Sequence, residues 1–211
     1  MSRFAILLGG NLSPNPRLFR QIAGARFIAA DSGMMHAPTL GIKPELWVGD
    51  FDSAGSELII NYREVDREPF PAEKDATDGE LAVERALERG ATEIILLGGL
   101  GGQADHAAAH LGMILALAQK DCTAFATSGE EEAYPLLPGE RMFDLPSGSR
   151  FSIVPFSPLA GLTLSGVKWP LSSRDVALGS SLTLSNVANG SVCLGLESGY
   201  GIVIVTPSDL S

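Results

Sequence analysis

Four short apolar runs, each cut off by a glycine or acidic motif, limit this chain to few folds. Phe4-Ala5-Ile6-Leu7-Leu8 stops at Gly9-Gly10-Asn11, and Phe27-Ile28-Ala29-Ala30 at Asp31-Ser32-Gly33. Leu46-Trp47-Val48 runs into Gly49-Asp50-Phe51-Asp52-Ser53, and Ile94-Ile95-Leu96-Leu97 into Gly98-Gly99-Leu100-Gly101-Gly102-Gln103-Ala104-Asp105-His106. Runs without polar alternation read as strands buried on both faces, which is the habit of parallel sheets. Helical stretches fall between them, so the first part of the chain is expected to be α/β, a mostly parallel sheet with helices on both faces. Ligands of such sheets bind outside the carboxyl ends of the strands. The four motifs are therefore expected to converge on one crevice.

The intervening pieces support this alternation. Pro14 and Pro16 open a helix around Leu18-Phe19-Ile22-Ala23, Met34–Leu40 reads as a short helix, and so does Glu57–Tyr62. Val65–Phe70 is a short strand. Thr77 and Glu80 stand at capping-box spacing, so Thr77 caps a helix to about Arg89, with Gly90 beyond its end. Leu81, Ala82, Ala86 and Leu87 give that helix an apolar face, and Asp78 falls in its first turn. A long Ala/Leu helix then reaches about Lys120, and Thr123–Thr127 closes this part as a strand.

After Ser128 the pattern changes. Glu130-Glu131-Glu132 reads as a solvated linker. Beyond it, strand-like pieces lie between Gly, Pro, Ser and Asn: Arg141–Leu145, Phe151–Phe156, Gly161–Leu164, Ser181–Ser185, Val192–Leu196 and Ile202–Val205. Short strands at this spacing predict a small all-β, antiparallel sandwich or barrel. The expected division is residues 1–128, α/β, and residues 129–211, β-sandwich.

The chemistry is carried by carboxylates. Asp31, Asp50, Asp52, Asp75, Asp78 and Asp105 all stand near a strand end or helix start, and Asp50 and Asp52 turn to the same side if their segment is extended. Six carboxylates in one crevice repel each other unless cations bind, which favours Mg²⁺ bridging phosphate oxygens. The glycine loop at 98–102 allows close backbone approach to a phosphate at a helix mouth, although it is neither a Walker A loop nor a G-x-G-x-x-G fingerprint. Lys74 is placed to neutralise phosphate charge, and His106 to donate to it. His36 and His110 read as helix residues with no special role. The net charge of −10 argues against nucleic-acid binding. Cys122 and Cys193 read as buried free thiols of a cytoplasmic protein. The five-residue apolar run before Gly9 is too short for a signal-peptide core or a membrane span.

These motifs in this order resemble the bacterial type of thiamine pyrophosphokinase. Ala30-Asp31-Ser32-Gly33, Gly49-Asp50-Phe51-Asp52-Ser53, Lys74-Asp75-Ala76-Thr77-Asp78, the 98–102 loop with Asp105-His106, Gly166-Val167-Lys168-Trp169-Pro170-Leu171 and Ser185-Asn186 carry the resemblance. It implies a homodimer that transfers pyrophosphate from ATP to the thiamine hydroxyl and releases AMP. By the same resemblance Asp50, Asp52 and Asp78 hold Mg²⁺, and Asp75 and Asp105 support the catalytic site. Asp31, Ser53, Lys74, Thr77, Gly99, Gly101, Gly102, Gln103 and His106 line the nucleotide side. Trp169, Thr183, Ser185 and Asn186 line the thiamine side. Gln103 departs from the family's usual Arg. The alternatives are a metal-dependent nucleotide-sugar transferase, which leaves Lys74–Asp78 and Trp169 without a role, and a non-catalytic thiamine- or nucleotide-binding protein.

Overall fold

The computed structural model describes residues 2–51, 55–70 and 75–209. The predicted strands form around β1 (Arg3–Leu7), which lies between β2 (Arg26–Ala30) and β5 (Glu93–Leu97), parallel to both. β3 (Leu46–Gly49) and β4 (Asp66–Pro69) extend the sheet past β2, and β6 (Thr123–Thr127) extends it past β5, all parallel. Strand order is thus β4-β3-β2-β1-β5-β6, and the direction of chain progression reverses between β1 and β5. That reversal opens a crevice above their carboxyl ends.

Successive strand residues bury opposite faces. Phe4, Ile6, Ile28, Val48, Ile94 and Leu96 pack beneath α4 (Asp78–Glu88) and α5 (Ala104–Ala118). Ala5, Leu7, Ala29, Trp47, Ile95 and Leu97 meet Leu18 and Ile22 of α1 (Pro16–Ile22), together with Ala37 and Leu40 of α2 (Ala37–Leu40). α1 starts as its proline predicts, with the Asn15 side chain accepting from the Leu18 amide at 2.9 Å. α3 (Ser56–Asn61) covers part of the same face through Leu58 and Ile59.

Beyond β6 the sheet continues without a break. β7 (Glu132–Leu136) pairs antiparallel with β6, and β13 (Gly201–Thr206) lies between β7 and β9 (Arg150–Pro155). β12 (Asn186–Leu196) pairs with β9 at its start, then with β8 (Gly139–Phe143) and β10 (Leu159–Val167), and β11 (Leu171–Val176) borders β10. Val192, Leu194 and Leu196 point inward as their alternation predicts, onto a second core with Phe151, Ile153, Leu162 and Val203.

Several expectations are corrected. The run 130–132 is solvated only in part, because Glu130 and Glu131 are exposed but Glu132 is 1% exposed and begins β7. Met34–Leu40 is not one α-helix, because Met34–His36 belong to a 3-10 turn, Asp31–His36, and only Ala37–Leu40 is α-helical. Ser181–Ser185 forms no strand; Leu182 and Leu184 are exposed while Thr183 is buried. Leu87 points outward, and Val83 takes its place in the buried face of α4. Both cysteines are free, but only Cys122 is buried.

Candidate functional site

A cavity of about 690 Å³ occupies the crevice above β1 and β5. Two glycine loops form its floor, Gly9-Gly10 after β1 and Gly98 with Gly101-Gly102 after β5. They pack backbone against backbone: a Cβ on Gly10 would overlap the Gly98 carbonyl oxygen, and one on Gly98 would lie 2.9 Å from the Gly10 oxygen. Gly98, Gly101 and Gly102 all have positive φ, 73°, 92° and 80°. A side chain on Gly10 or Gly98 would push the two backbones apart. Gly99 is buried beneath its loop, where a Cβ would lie 3.1 Å from Leu96 Cβ.

Acidic side chains form the walls. Asp31 and Ser32 enter from the end of β2, and Asp75 to Glu80 from the start of α4. The capping box is complete: Glu80 N donates to Thr77 Oγ1 at 3.2 Å, and Thr77 N to Glu80 Oε2 at 3.0 Å. This aims the positive end of α4 at the cavity, with Asp78 in its first turn. Asp31 adopts φ 43°, and its carbonyl accepts from Trp47 Nε1 at 2.9 Å, so a buried indole fixes a strained turn.

Asp50 stands on the neighbouring strand end, where a Cβ on Gly49 would lie 3.1 Å from Asp31 Cα. The chain is not extended at Phe51, which takes φ 63° with its ring edge-on to Trp47 at 5.1 Å. Asp52, Ser53 and Lys74 lie outside the described residues. Of the remaining nucleotide-side residues, Thr77, Gly101, Gly102, Gln103 and His106 line the cavity. Asp105 is exposed at the start of α5, accepting from the His106 amide at 2.9 Å, and does not line the cavity.

Two histidines given no role in the sequence are tied to the glycine loops. His36 Nε2 donates to the Gly10 carbonyl at 2.9 Å, and His110 Nδ1 to the Gly99 carbonyl at 3.1 Å. His110 also lines the cavity, and burial and the adjacent His106 hold its pKa below the ordinary value. The only clue in the sequence is the spacing His106/His110, which puts both rings on one face of α5.

The other predicted residues gather on the C-terminal half. The Asn186 side chain brackets Trp169, accepting from its amide at 3.1 Å and donating to its carbonyl at 2.8 Å. Thr183 Oγ1 donates to the Ile153 carbonyl at 2.7 Å, and Ser185, at φ 59°, donates its amide to Ser152 Oγ at 2.9 Å. The Trp169 indole itself is 53% exposed, with the Lys168 ammonium 4.5 Å from its ring centre. None of these four residues lines the cavity above β1 and β5.

Residues 23–126 match the thiamin pyrophosphokinase catalytic domain, and residues 143–200 the thiamin pyrophosphokinase vitamin B1 binding domain. A thiamine pyrophosphokinase of Bacillus subtilis is 30% identical over 167 residues, 76% of this chain and 77% of that protein. The chain belongs to the thiamine pyrophosphokinase family. It is thus an ATP-dependent pyrophosphotransferase of thiamine diphosphate synthesis. The crystal structure of thiamine pyrophosphokinase from B. subtilis superposes with a TM-score of 0.87 at 26% identity, covering 99% of this chain and 100% of that one. That from Geobacillus thermodenitrificans gives 0.81 at 28% identity, covering 99% and 98%. The yeast structure, at 15% identity and a TM-score of 0.80, shares the fold. The family's catalytic match contains the walls at 31–32 and 75–80 and the second glycine loop, and its B1-binding match contains Trp169, Thr183, Ser185 and Asn186. No helix among the described residues is long and apolar enough to cross a membrane.

Proposed function

We propose that the cavity above β1 and β5 takes ATP and that Trp169 and its neighbours take thiamine. The observation that carries this reading is the convergence of two glycine loops, a capped helix start and acidic side chains at the reversal point of the sheet. Backbone amides of the loops and of α4 would meet the phosphates. The Trp169 face supports the thiamine assignment, since a cation already lies over it. Residues 1–128 would form the catalytic unit and 129–211 the thiamine-binding and dimerisation unit, in a homodimer.

The donor set fits Mg²⁺. Asp31, Asp75, Asp78 and Glu80 supply hard oxygens, and no Lys or Arg is among the described residues of the lining. Among the described residues no three His, Cys, Asp or Glu groups converge to hold an ion by themselves. Mg²⁺ takes one or two carboxylates and completes its shell with phosphate and water. Asp50, Asp52 and Asp78 would hold it, with Asp75 and Asp105 in support. Bound there, Mg²⁺ would screen charge on the reacting phosphates.

The thiamine hydroxyl attacks the β-phosphorus in line; its O–P bond forms as the bond to the bridging oxygen of AMP breaks, and the hydroxyl proton is released to solvent water. The residues' part is positioning: the loops hold the phosphates, Thr77 and Glu80 aim the helix, and Trp169 orients the thiamine ring. Asp50→Asn, Asp52→Asn and Asp78→Asn are each expected to lower turnover by orders of magnitude while the fold survives. Formation of AMP and thiamine diphosphate from ATP, Mg²⁺ and thiamine measures this. Near-normal activity in all three would remove the assignment, and ADP with thiamine monophosphate would indicate transfer of one phosphoryl group.

A further inference from the structure

Among the described residues of the cavity wall, His110 is the one buried titratable side chain. It lies on α5 one turn after His106, the two rings meeting edge-on at 6.3 Å. A carbonyl oxygen only accepts, so the 3.1 Å contact with Gly99 places the ring proton on Nδ1. The other nitrogen faces the start of α4. Nε2 lies 3.8 Å from the position a Cβ on Gly79 would take, as does Thr77 Oγ1. The ring therefore stands between the glycine loop and the first turn of α4. Gly98 N donates to the Thr127 carbonyl at 2.9 Å on one side of the loop, and the His110 bond to Gly99 ties the loop toward α4.

We propose that His110 is a positioning residue for the nucleotide: through Nδ1–H it pins the Gly99 carbonyl and fixes the glycine loop at its working distance from the start of α4. The inference rests on reading this cavity as the ATP site. His110 touches no phosphate in this role; it acts through the loop. Its effect should then fall on ATP and spare thiamine.

Kinetics with each substrate varied in turn test it. His110→Ala is expected to lower kcat/KM for ATP about tenfold, the scale of one buried hydrogen bond, and to leave KM for thiamine unmoved. His110→Asn, whose amide N–H can reach the Gly99 carbonyl, should recover most of the loss. His110→Gln carries its amide farther out, toward the Nε2 position, and should not. An unchanged KM and kcat for ATP in the alanine variant, equal behaviour of Asn and Gln, or an equal shift for both substrates overturns the proposal. Nitrogen-15 spectra of the unsubstituted protein give a readout independent of how the variants fold: the Nδ1–H tautomer is expected at His110, and Nε2–H overturns the proposal. Asp78→Asn assayed in parallel separates the two readings. If it abolishes turnover while His110→Ala leaves ATP kinetics intact, the positioning role alone fails; if it too leaves turnover intact, the cavity reading fails.

Discussion

At the scale of single residues, burial gives His110 a consequence beyond its loop. Its pKa is depressed, first by burial and then by His106, against a partial rise from the Gly99 bond. The unfolded chain's histidine titrates near 6.5. Between the folded and unfolded pKa values the unfolded state binds more protons, so stability rises with pH there. Folding stability should therefore be level above that range and fall as pH drops below about 6.5. Urea midpoints between pH 7.5 and 5.5 should fall less in His110→Asn, with His36 and His106 and the facing Asp78 and Glu80 unchanged in both proteins. Equal slopes would place the acid limb elsewhere. Sequence spacing made Thr77, Asp78 and Glu80 legible, because a capping box is a local pattern. His110 was not legible, since on an alanine-rich helix nothing nearby says which face meets the sheet. Glu132 was not either: its partner Arg17 is 115 residues away.

At the scale of elements, the apolar face of α4 docks it on the sheet, and its first turn links it to the cavity. Thr77 satisfies an amide that would otherwise go unpaired and holds the helix mouth open to the cavity. Thr77→Ala should cost about 1 kcal/mol of stability and weaken ATP binding, while Thr77→Ser should restore both; calorimetry and ATP titration check this. Equal effects of Ala and Ser would shift the role from hydroxyl to methyl. The parallel strands were readable because both their faces are buried, leaving runs with no polar interruption. β7 and β11 were missed for the opposite reason. β7 begins with a glutamate that is buried only by pairing, and β11 is a polar border strand with four exposed residues in a row. Around 181–185 the bulky residues alternate, but the turn inverts the pattern and buries the threonine.

At the scale of the molecule, Glu132 ties the two halves together. Its carboxylate takes Arg17 Nε and Nη2, the latter at 2.9 Å, Gln21 Nε2 at 2.6 Å and the Tyr134 hydroxyl at 2.7 Å. Arg17 and Gln21 belong to α1, whereas Glu132 and Tyr134 belong to β7. The bond to Glu132 raises the Arg17 pKa, and burial followed by the Glu132 charge raises that of Tyr134. Glu132→Ala leaves a half-buried guanidinium without its counter-charge and should cost about 3 kcal/mol, read from urea unfolding. A change under about 0.5 kcal/mol, as at an exposed ion pair, would show that the network holds nothing together. The two-part organisation was visible in the sequence, but its joint was not. A run of three glutamates looks like solvent-facing chain unless the arginine and glutamine that meet it are already in place.

The position of β13 matters while the chain is being made. Residues 201–206 are the final described strand to leave the ribosome, yet they occupy the seam between β7 and β9. Ile202 belongs to the core beneath α4 and α5, and Val203 to the core of the sandwich. Until that segment emerges, β7 has an open edge and neither core is sealed. Nascent chains stalled before it would carry unpaired backbone and apolar surface, the features that recruit chaperones and promote aggregation. A single late strand thus contributes to both cores at once.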